Sequence, residues 1–115
     1  MIESYNFGEM VIKGKKYTSD VIVFPERVID GWWRLEGHSL CLEDLKEVLS
    51  QDPKPELIVV GTGYYGFMKV PADVESALKS KGINVIAQPT GEACKTYNKL
   101  LNGGKRVVGA FHLTC

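Results

Sequence analysis

The sequence has few cysteines, and their placement argues against two common roles. Cys41, Cys94 and Cys115 are far apart, odd in number and outside any CxxC pair. Cysteine-based metal centres need closely spaced ligands, and disulfide frameworks need an even number of cysteines. We therefore expect no metal site and no disulfide framework, and this cysteine usage is typical of a reducing compartment.

Long apolar runs are also missing. No apolar stretch approaches the roughly 20 residues that a helix needs to cross a bilayer. The opening sequence, MIESYNFGEM, has neither the basic segment nor the apolar segment of a signal peptide. These absences predict a cytoplasmic protein with no membrane insertion.

The chain lacks an excess of charge of either sign, with 14 basic and 14 acidic side chains. Proteins that bind nucleic acids by charge need a strongly basic surface, so we expect no nucleic-acid partner. The charges are nevertheless unevenly distributed along the chain. Residues 1–57 carry 7 basic and 11 acidic side chains, and residues 58–115 carry 7 and 3. Such a dipolar chain is suited to orienting a protein partner or a second copy of itself.

The length of 115 residues predicts a single domain, residues 1–115. Alternating apolar residues predict an N-terminal β-hairpin region and a short further strand. The later pattern alternates between buried strands and amphipathic helices, which indicates one mixed sheet with helices packed on it. The direction of the last strand is left open. The predicted elements are a hairpin over 5–24 with its turn at 13–15, strands over 28–33, 57–61, 83–87 and 107–113, and helices over about 42–51, 71–81 and 90–102.

The segment Gly61-Thr62-Gly63-Tyr64-Tyr65-Gly66 matches the GxGxxG pattern of dinucleotide-binding loops and follows a predicted strand. In such loops the helix begins within the glycine segment, so that its N-terminus meets the pyrophosphate. Here four residues separate the last glycine from Pro71, and the next strand does not end in the acidic residue that would hold the ribose. We therefore expect no bound cofactor.

A less specific interpretation does not require a dinucleotide. It places a small-molecule site where the Gly61–Gly63 turn meets the helix that begins at Thr90. Glycines after a buried strand permit a sharp turn, and the carboxyl ends of such strands often form ligand crevices. Glu92, Cys94 and Asn98 would then supply polar groups. Structural roles explain the same residues: Thr90 as a helix cap, Cys94 as a small buried side chain, and Asn98 as a partner for nearby backbone.

Aromatic residues provide candidate interaction anchors. Tyr64, Tyr65 and Phe67 fall in a predicted loop, where burial is harder to achieve. Trp32 and Trp33 are adjacent on a predicted strand, so one ring should enter the core while the other points outward or lies under a loop. Neither His38 nor His112 lies in a recognisable set of nucleophile, general base and orienting carboxylate, so we expect no catalytic residues and favour a non-enzymatic role.

The chain resembles domain-of-unknown-function family 498 over nearly its whole length. The resemblance is carried by GTG at residues 61–63 and by TxxAxxxYNxL over residues 90–100. It implies a three-layer α/β fold with a mixed central sheet, and a family with no assigned reaction whose mitochondrial members act as assembly factors through protein contacts. The leading hypothesis is therefore a non-catalytic interaction or assembly module, with a protein partner or self-association. The alternative is the small-molecule or enzymatic site described above.

Overall fold

The computed structural model describes all residues from Met1 to Cys115. A five-stranded sheet and a three-stranded sheet contain all the strands, and helices pack on the larger sheet. A single 3-10 turn at Leu42–Leu45 leads directly into the first helix. The elements are β1 (Ile2–Asn6), β2 (Glu9–Ile12), β3 (Lys15–Tyr17), β4 (Val21–Val23), β5 (Val28–Asp30), α1 (Lys46–Leu49), β6 (Leu57–Thr62), α2 (Ala72–Ser80), β7 (Asn84–Gln88), α3 (Thr90–Asn102) and β8 (Val107–His112).

The larger sheet is mixed, with the strand order β5-β4-β8-β6-β7. The last strand, β8, runs parallel to β6 and antiparallel to β4, with Val21 opposite Phe111. The carboxyl ends of β6, β7 and β8 therefore meet at one edge of the sheet, and the residues that precede β4 lie at that same edge. This arrangement brings segments from the beginning and the end of the chain together.

Two apolar cores lie on opposite faces of the larger sheet. Side chains of β4, β6 and β8 alternate between them, so that Ile58 and Val60 contact one core while Val59 contacts the other. The helices α1 and α2 cover the first core. The helix α3 and the three-stranded sheet cover the second. The predicted three-layer α/β fold, with a mixed central sheet and an N-terminal hairpin region, is confirmed.

Two predicted elements differ from the structure. The strand expected over 17–24 is divided, because residues 18–20 leave the small sheet before β4 joins the large one. The helix expected over 42–51 begins as a 3-10 turn and ends at Leu49. The indole N–H of Trp32 donates to the Asp44 carbonyl at 2.8 Å. In a regular α-helix this carbonyl would accept from the Val48 N–H. A tertiary hydrogen bond thus competes with the regular helical one at this position.

The adjacent tryptophans point in opposite directions, as expected, although β5 ends at Asp30 and both lie in the loop that follows. The ring of Trp32 is buried in the first core, whereas Trp33 is 81% exposed. The inward and outward alternation therefore continues beyond the strand itself.

Candidate functional site

The Gly61–Gly63 turn and the start of α3 are in direct contact at the carboxyl edge of the large sheet. The Gly63 N–H donates to Thr90 Oγ1 at 2.9 Å, and the Thr90 N–H donates to the Gly63 carbonyl at 3.0 Å. Thr90 Oγ1 also donates to the carbonyl of His112 at 2.6 Å. A Cβ atom on Gly61 would lie 2.9 Å from that hydroxyl. Thr90 thus joins β6, β8 and α3, and no space remains between the turn and the helix.

A buried polar network lies beside this junction. Asp20 Oδ2 accepts hydrogen bonds from Arg34 Nη1 and His112 Nδ1, each at 2.8 Å, and Asp20 Oδ1 accepts one from the Leu113 N–H at 2.7 Å. His112 Nδ1 also lies 2.9 Å from Arg34 Nη2. A proton on Nδ1 makes the bond to Asp20, whereas the other tautomer would accept from Arg34 and set a nitrogen lone pair against the carboxylate. Arg34 Nη2 also donates to the Gly37 carbonyl at 3.1 Å. One carboxylate therefore holds together the loop before β4, the loop after β5 and the end of β8.

The network holds an Asp–His pair in the arrangement used by general bases, but no nucleophile completes it. His112 Nε2 is buried and has no hydrogen-bond partner, and the same is true of Arg34 Nε. The ring of His38 lies edge-on to that of His112, with 6.0 Å between the ring centroids. No hydroxyl or thiol of the chain bonds to Nε2.

Acid titration should reveal the role of Asp20 in stability. Burial alone would raise the pKa of Asp20, but the hydrogen bonds from His112, the Leu113 N–H and Arg34 outweigh it and hold the pKa below its ordinary 3.8. The stabilisation is therefore fully present above the unfolded-state pKa and is lost as the pH falls through the folded-state pKa. We expect the free energy of unfolding, measured by urea denaturation, to fall below about pH 4. Asp20→Asn should give a flatter acid slope, and an unchanged slope in that variant would contradict this assignment.

Four aromatic side chains form a continuous exposed surface beside the turn, which we call the aromatic cluster: Phe7, Tyr64, Tyr65 and Phe67. Ring centroids lie 5.7 Å apart between Phe7 and Tyr64, 5.1 Å between Tyr64 and Tyr65, and 5.6 Å between Tyr65 and Phe67. The four side chains are 49–60% exposed. The sequence pointed to three of these rings. Phe7 was missed because it arrives from the turn between β1 and β2, which no local pattern connects with residues 64–67.

The backbone holds the aromatic cluster in place. The Tyr64 N–H donates to the Thr114 carbonyl at 2.9 Å, and the Met68 N–H donates to the Thr62 carbonyl at 3.0 Å. The Gly8 N–H donates to the Leu113 carbonyl at 2.8 Å, which fixes the turn that carries Phe7. The rings are therefore exposed on a well-anchored loop.

An open groove of about 630 Å³ lies on the far side of the α3 start, against β1. Glu92, Cys94 and Asn98 line this groove, whereas Gly61, Thr62, Gly63 and Thr90 do not. Burial raises the pKa of the Cys94 thiol to about 12, so the thiol is neutral at physiological pH and a poor nucleophile. The seven candidate ligand-binding residues are thus divided between a closed junction and an open groove, and ligand binding stays a prediction.

Asn98 lines one wall of the groove, and its side-chain amide bonds to the backbone of β1 as a paired strand would. Its Oδ1 accepts from the Ile2 N–H at 3.0 Å, and its Nδ2 donates to the Ile2 carbonyl at 2.8 Å. The side chain thereby satisfies both outward backbone groups of one residue in β1.

Replacing Asn98 should loosen the N-terminal strand. Asn98→Ala removes two half-buried hydrogen bonds, each contributing about 0.5–1.5 kcal/mol, so we expect a loss of about 1–3 kcal/mol in denaturant unfolding. Amide exchange at Ile2 should accelerate in parallel. Asn84→Ala, at an exposed position on β7, is the matched control. Equal losses in the two variants would show that the Ile2 bonds contribute nothing.

The Asp20–Arg34–His112 network was not predicted from the sequence. Its members are separated by as many as 92 residues, and none carries a recognisable motif. An acidic residue placed just before an apolar strand is the single local feature that distinguishes Asp20. No helix of the structure has both the length and the apolar character needed to cross a membrane.

Solved structures share this fold. A crystal structure of a conserved hypothetical protein from Pyrococcus horikoshii OT3 matches with a TM-score of 0.85 and 29% identity, covering 100% of this chain and 99% of that one. An NMR structure of a Xanthomonas campestris protein matches with a TM-score of 0.79 over 98% of this chain and 83% of that one. At 21% identity, the second match supports the fold alone.

Curated relatives carry the name NADH dehydrogenase [ubiquinone] 1 alpha subcomplex assembly factor 3. The Homo sapiens protein is 33% identical over 110 residues, which cover 95% of this chain and 58% of that protein. The Danio rerio protein is 32% identical over 111 residues, 96% of this chain and 62% of that protein. The chain thus spans about three-fifths of the length of these relatives. The profile described as "Protein of unknown function (DUF498/DUF598)" matches residues 2–112, and the chain therefore belongs to that family.

Proposed function

We propose that this chain is a non-catalytic docking module that helps a larger protein complex to assemble, with the aromatic cluster as its contact surface. The observation that carries the proposal is the exposure of four adjoining rings on one surface. Contiguous exposed apolar surface is characteristic of interaction sites, and aromatic side chains are enriched among the residues that dominate binding energies.

The rigidity of the surface supports the same role. The loop that carries Tyr64, Tyr65 and Phe67 is fixed by backbone hydrogen bonds at both ends, to Thr114 and to Thr62. A surface that is already ordered loses less conformational entropy when a partner binds. The cluster therefore fits a protein surface that accepts preformed apolar rings.

The family supports the coarser part of the proposal. Its curated relatives are named as assembly factors of an NADH dehydrogenase subcomplex. This chain would share their general mode of action, contact with a protein that is being assembled, whatever complex it serves.

Site-specific photo-crosslinking tests the proposal. A benzophenone amino acid at Tyr65 should crosslink one discrete protein in cells, and the purified partner should then bind the purified chain directly. The same probe at Lys79, an exposed position on α2, is the matched control. Tyr64→Ser combined with Phe67→Ser should weaken direct binding about tenfold or more, as expected for ring truncation at an interface.

The proposal fails if the Tyr65 probe gives no product beyond the Lys79 control. It also fails if the identified protein binds the double variant and the parent chain equally well. Circular dichroism and thermal unfolding of the double variant check that the fold is retained, since both side chains are already exposed in the parent.

The groove beside β1 favours a second candidate function, the binding of a small polar molecule. Its volume of about 630 Å³ lies within the roughly 300–1,000 Å³ of known ligand pockets. Native mass spectrometry of the purified chain, compared with the denatured chain, tests this function. An extra mass that is lost on denaturation and abolished by Glu92→Gln would support a ligand in the groove. A chain with no extra mass would contradict ligand binding and leave docking as the proposed function.

A further inference from the structure

The strand β5 is an open edge of the large sheet. It pairs with β4 alone, in a register that places Ile22 opposite Ile29 and Val23 opposite Val28. The Phe24 N–H donates to the Arg27 carbonyl at 2.8 Å, and hydrogen-bonded pairs alternate along an antiparallel ladder. The backbone groups of Ile29 therefore point toward β4, and those of Val28 and Asp30 point outward.

The edge is short, three residues, and carries the exposed Asp30 carboxylate, but it is not covered by another part of the chain. Residues 28–30 contain no proline, no lysine and no bulge, and no helix or loop bonds to their outward groups. At the opposite edge, β7, the exposed side chains are Asn84 and Ala87, whereas the exposed side chain of β5 is Asp30. The open edge at β5 instead continues into the most exposed large apolar side chain of the protein, Trp33, which is 81% exposed.

A small cleft adjoins this edge. It has a volume of about 220 Å³ and is bordered by Ile29, Trp32 and Trp33, with Lys46 and Glu47 also contributing. Ligand pockets are larger, at roughly 300–1,000 Å³, so the cleft is suited to a protein side chain rather than to a free ligand. The chain therefore has, at one place, a strand edge with no partner, an exposed indole and a small recess lined by both apolar and charged side chains.

We propose that β5 pairs antiparallel with β5 of a second copy of this chain, around a two-fold axis at Ile29. In that register Val28 faces Asp30 of the second copy, so the outward backbone groups form two reciprocal hydrogen-bonded pairs. The two Asp30 carboxylates are not opposite one another. The two five-stranded sheets become one continuous sheet.

Charge around the axis favours a second copy as the occupant. Lys46 and Glu47 are adjacent on α1, both line the cleft, and neither forms an ion pair within its own chain. A two-fold axis beside them brings the ammonium group of one copy toward the carboxylate of the other. Trp33 contributes the apolar area that a three-residue strand pair lacks, since a buried tryptophan accounts for roughly 150–250 Å².

Sedimentation velocity over about 1–100 μM tests the proposal, because weak interfaces of this kind populate both states in that range. The parent chain should sediment increasingly as a dimer. Trp33→Ser should raise the dissociation constant about tenfold or more. Val28→Pro should do the same, since it removes an outward N–H that no bond within the chain uses.

Charge reversal supplies the most specific arm of the test. Lys46→Glu alone and Glu47→Lys alone should each weaken the dimer, and the two changes together in one chain should restore it. Tyr65→Ser, in the aromatic cluster, should leave the dimer intact, which separates this proposal from the docking function.

Four results would overturn the proposal. The first is a parent chain that stays monomeric throughout the concentration series. The second is a dimer that neither Trp33→Ser nor Val28→Pro weakens. The third is a crosslink from Tyr65 to a second copy, which would place self-association at the aromatic cluster. A monomeric chain that crosslinks an unrelated protein from position 33 would assign this edge to a different partner and reject the dimer.

Discussion

Asp20→Ala should destabilise the protein by about 3–5 kcal/mol, the range measured when one partner of a buried ion pair is removed. The side chain of Arg34 is 5% exposed, so its guanidinium would remain buried without a counter-charge. His112 Nδ1 and the Leu113 N–H would lose their acceptor as well. Domains of this size have a total stability of about 5–15 kcal/mol, so the variant should approach the limit of folding. Urea denaturation at neutral pH measures the change.

A matched control and a double variant separate the ion pair from a general effect of truncation. Glu36→Ala removes an exposed carboxylate from the loop that carries Arg34, and we expect a change within about 0.5 kcal/mol. Arg34→Met in the Asp20→Ala background should cost less than the sum of the two single changes, because the unpaired charge is gone. Additive losses, or an Asp20→Ala loss below about 1 kcal/mol, would show that the network does not hold these loops together.

Thr90→Val should cost about 2–4 kcal/mol with almost no change in side-chain shape. The valine would leave the Gly63 N–H without an acceptor and the His112 carbonyl without a donor, at a position that is fully buried. An unsatisfied buried group costs about 1–3 kcal/mol. Gly63 begins the loop of the aromatic cluster, so faster amide exchange at Gly63 and weaker partner binding should accompany the loss of stability.

Thr96→Val is the control for this prediction, because it makes the same chemical change six residues further along α3. Thr96 Oγ1 donates to Gln88 Oε1 in a half-buried position, where water can replace the lost partner. We expect a loss below about 1 kcal/mol for this variant. Equal losses in the two variants would mean that the junction between β6, β8 and α3 has no special importance.

The sequence predicted best the elements that are defined by a local pattern of consecutive residues. The continuous apolar run from Leu57 indicates a buried strand and the helical stripe of α3 indicates an amphipathic helix, and both were found within a residue or two. The division of residues 17–24 was missed because Asp20 is needed at the end of β8. No local pattern reports that requirement, since Asp20 and Leu113 are 93 residues apart.

The candidate site shows the same limit. Tyr64, Tyr65 and Phe67 were identified because aromatic residues are unusual in a glycine-rich loop, whereas Phe7 joins them only through the tertiary fold. Thr90 and Asn98 were recognised as residues that need a partner, but the identity of the partner could not be predicted. Both bond to backbone from distant strands, which depends on how the two sheets pack on α3.

The amide of Asn98 completes β1 from a position 96 residues further along the chain, and this has a consequence for synthesis on the ribosome. The strand β1 is translated well before the Asn98 amide that satisfies Ile2 and before the Leu113 carbonyl that accepts from Tyr5. Contacts between distant residues form slowly because loop closure must precede them. The small sheet formed by β1, β2 and β3 must therefore wait, with its apolar face uncovered, until α3 and β8 have left the exit tunnel.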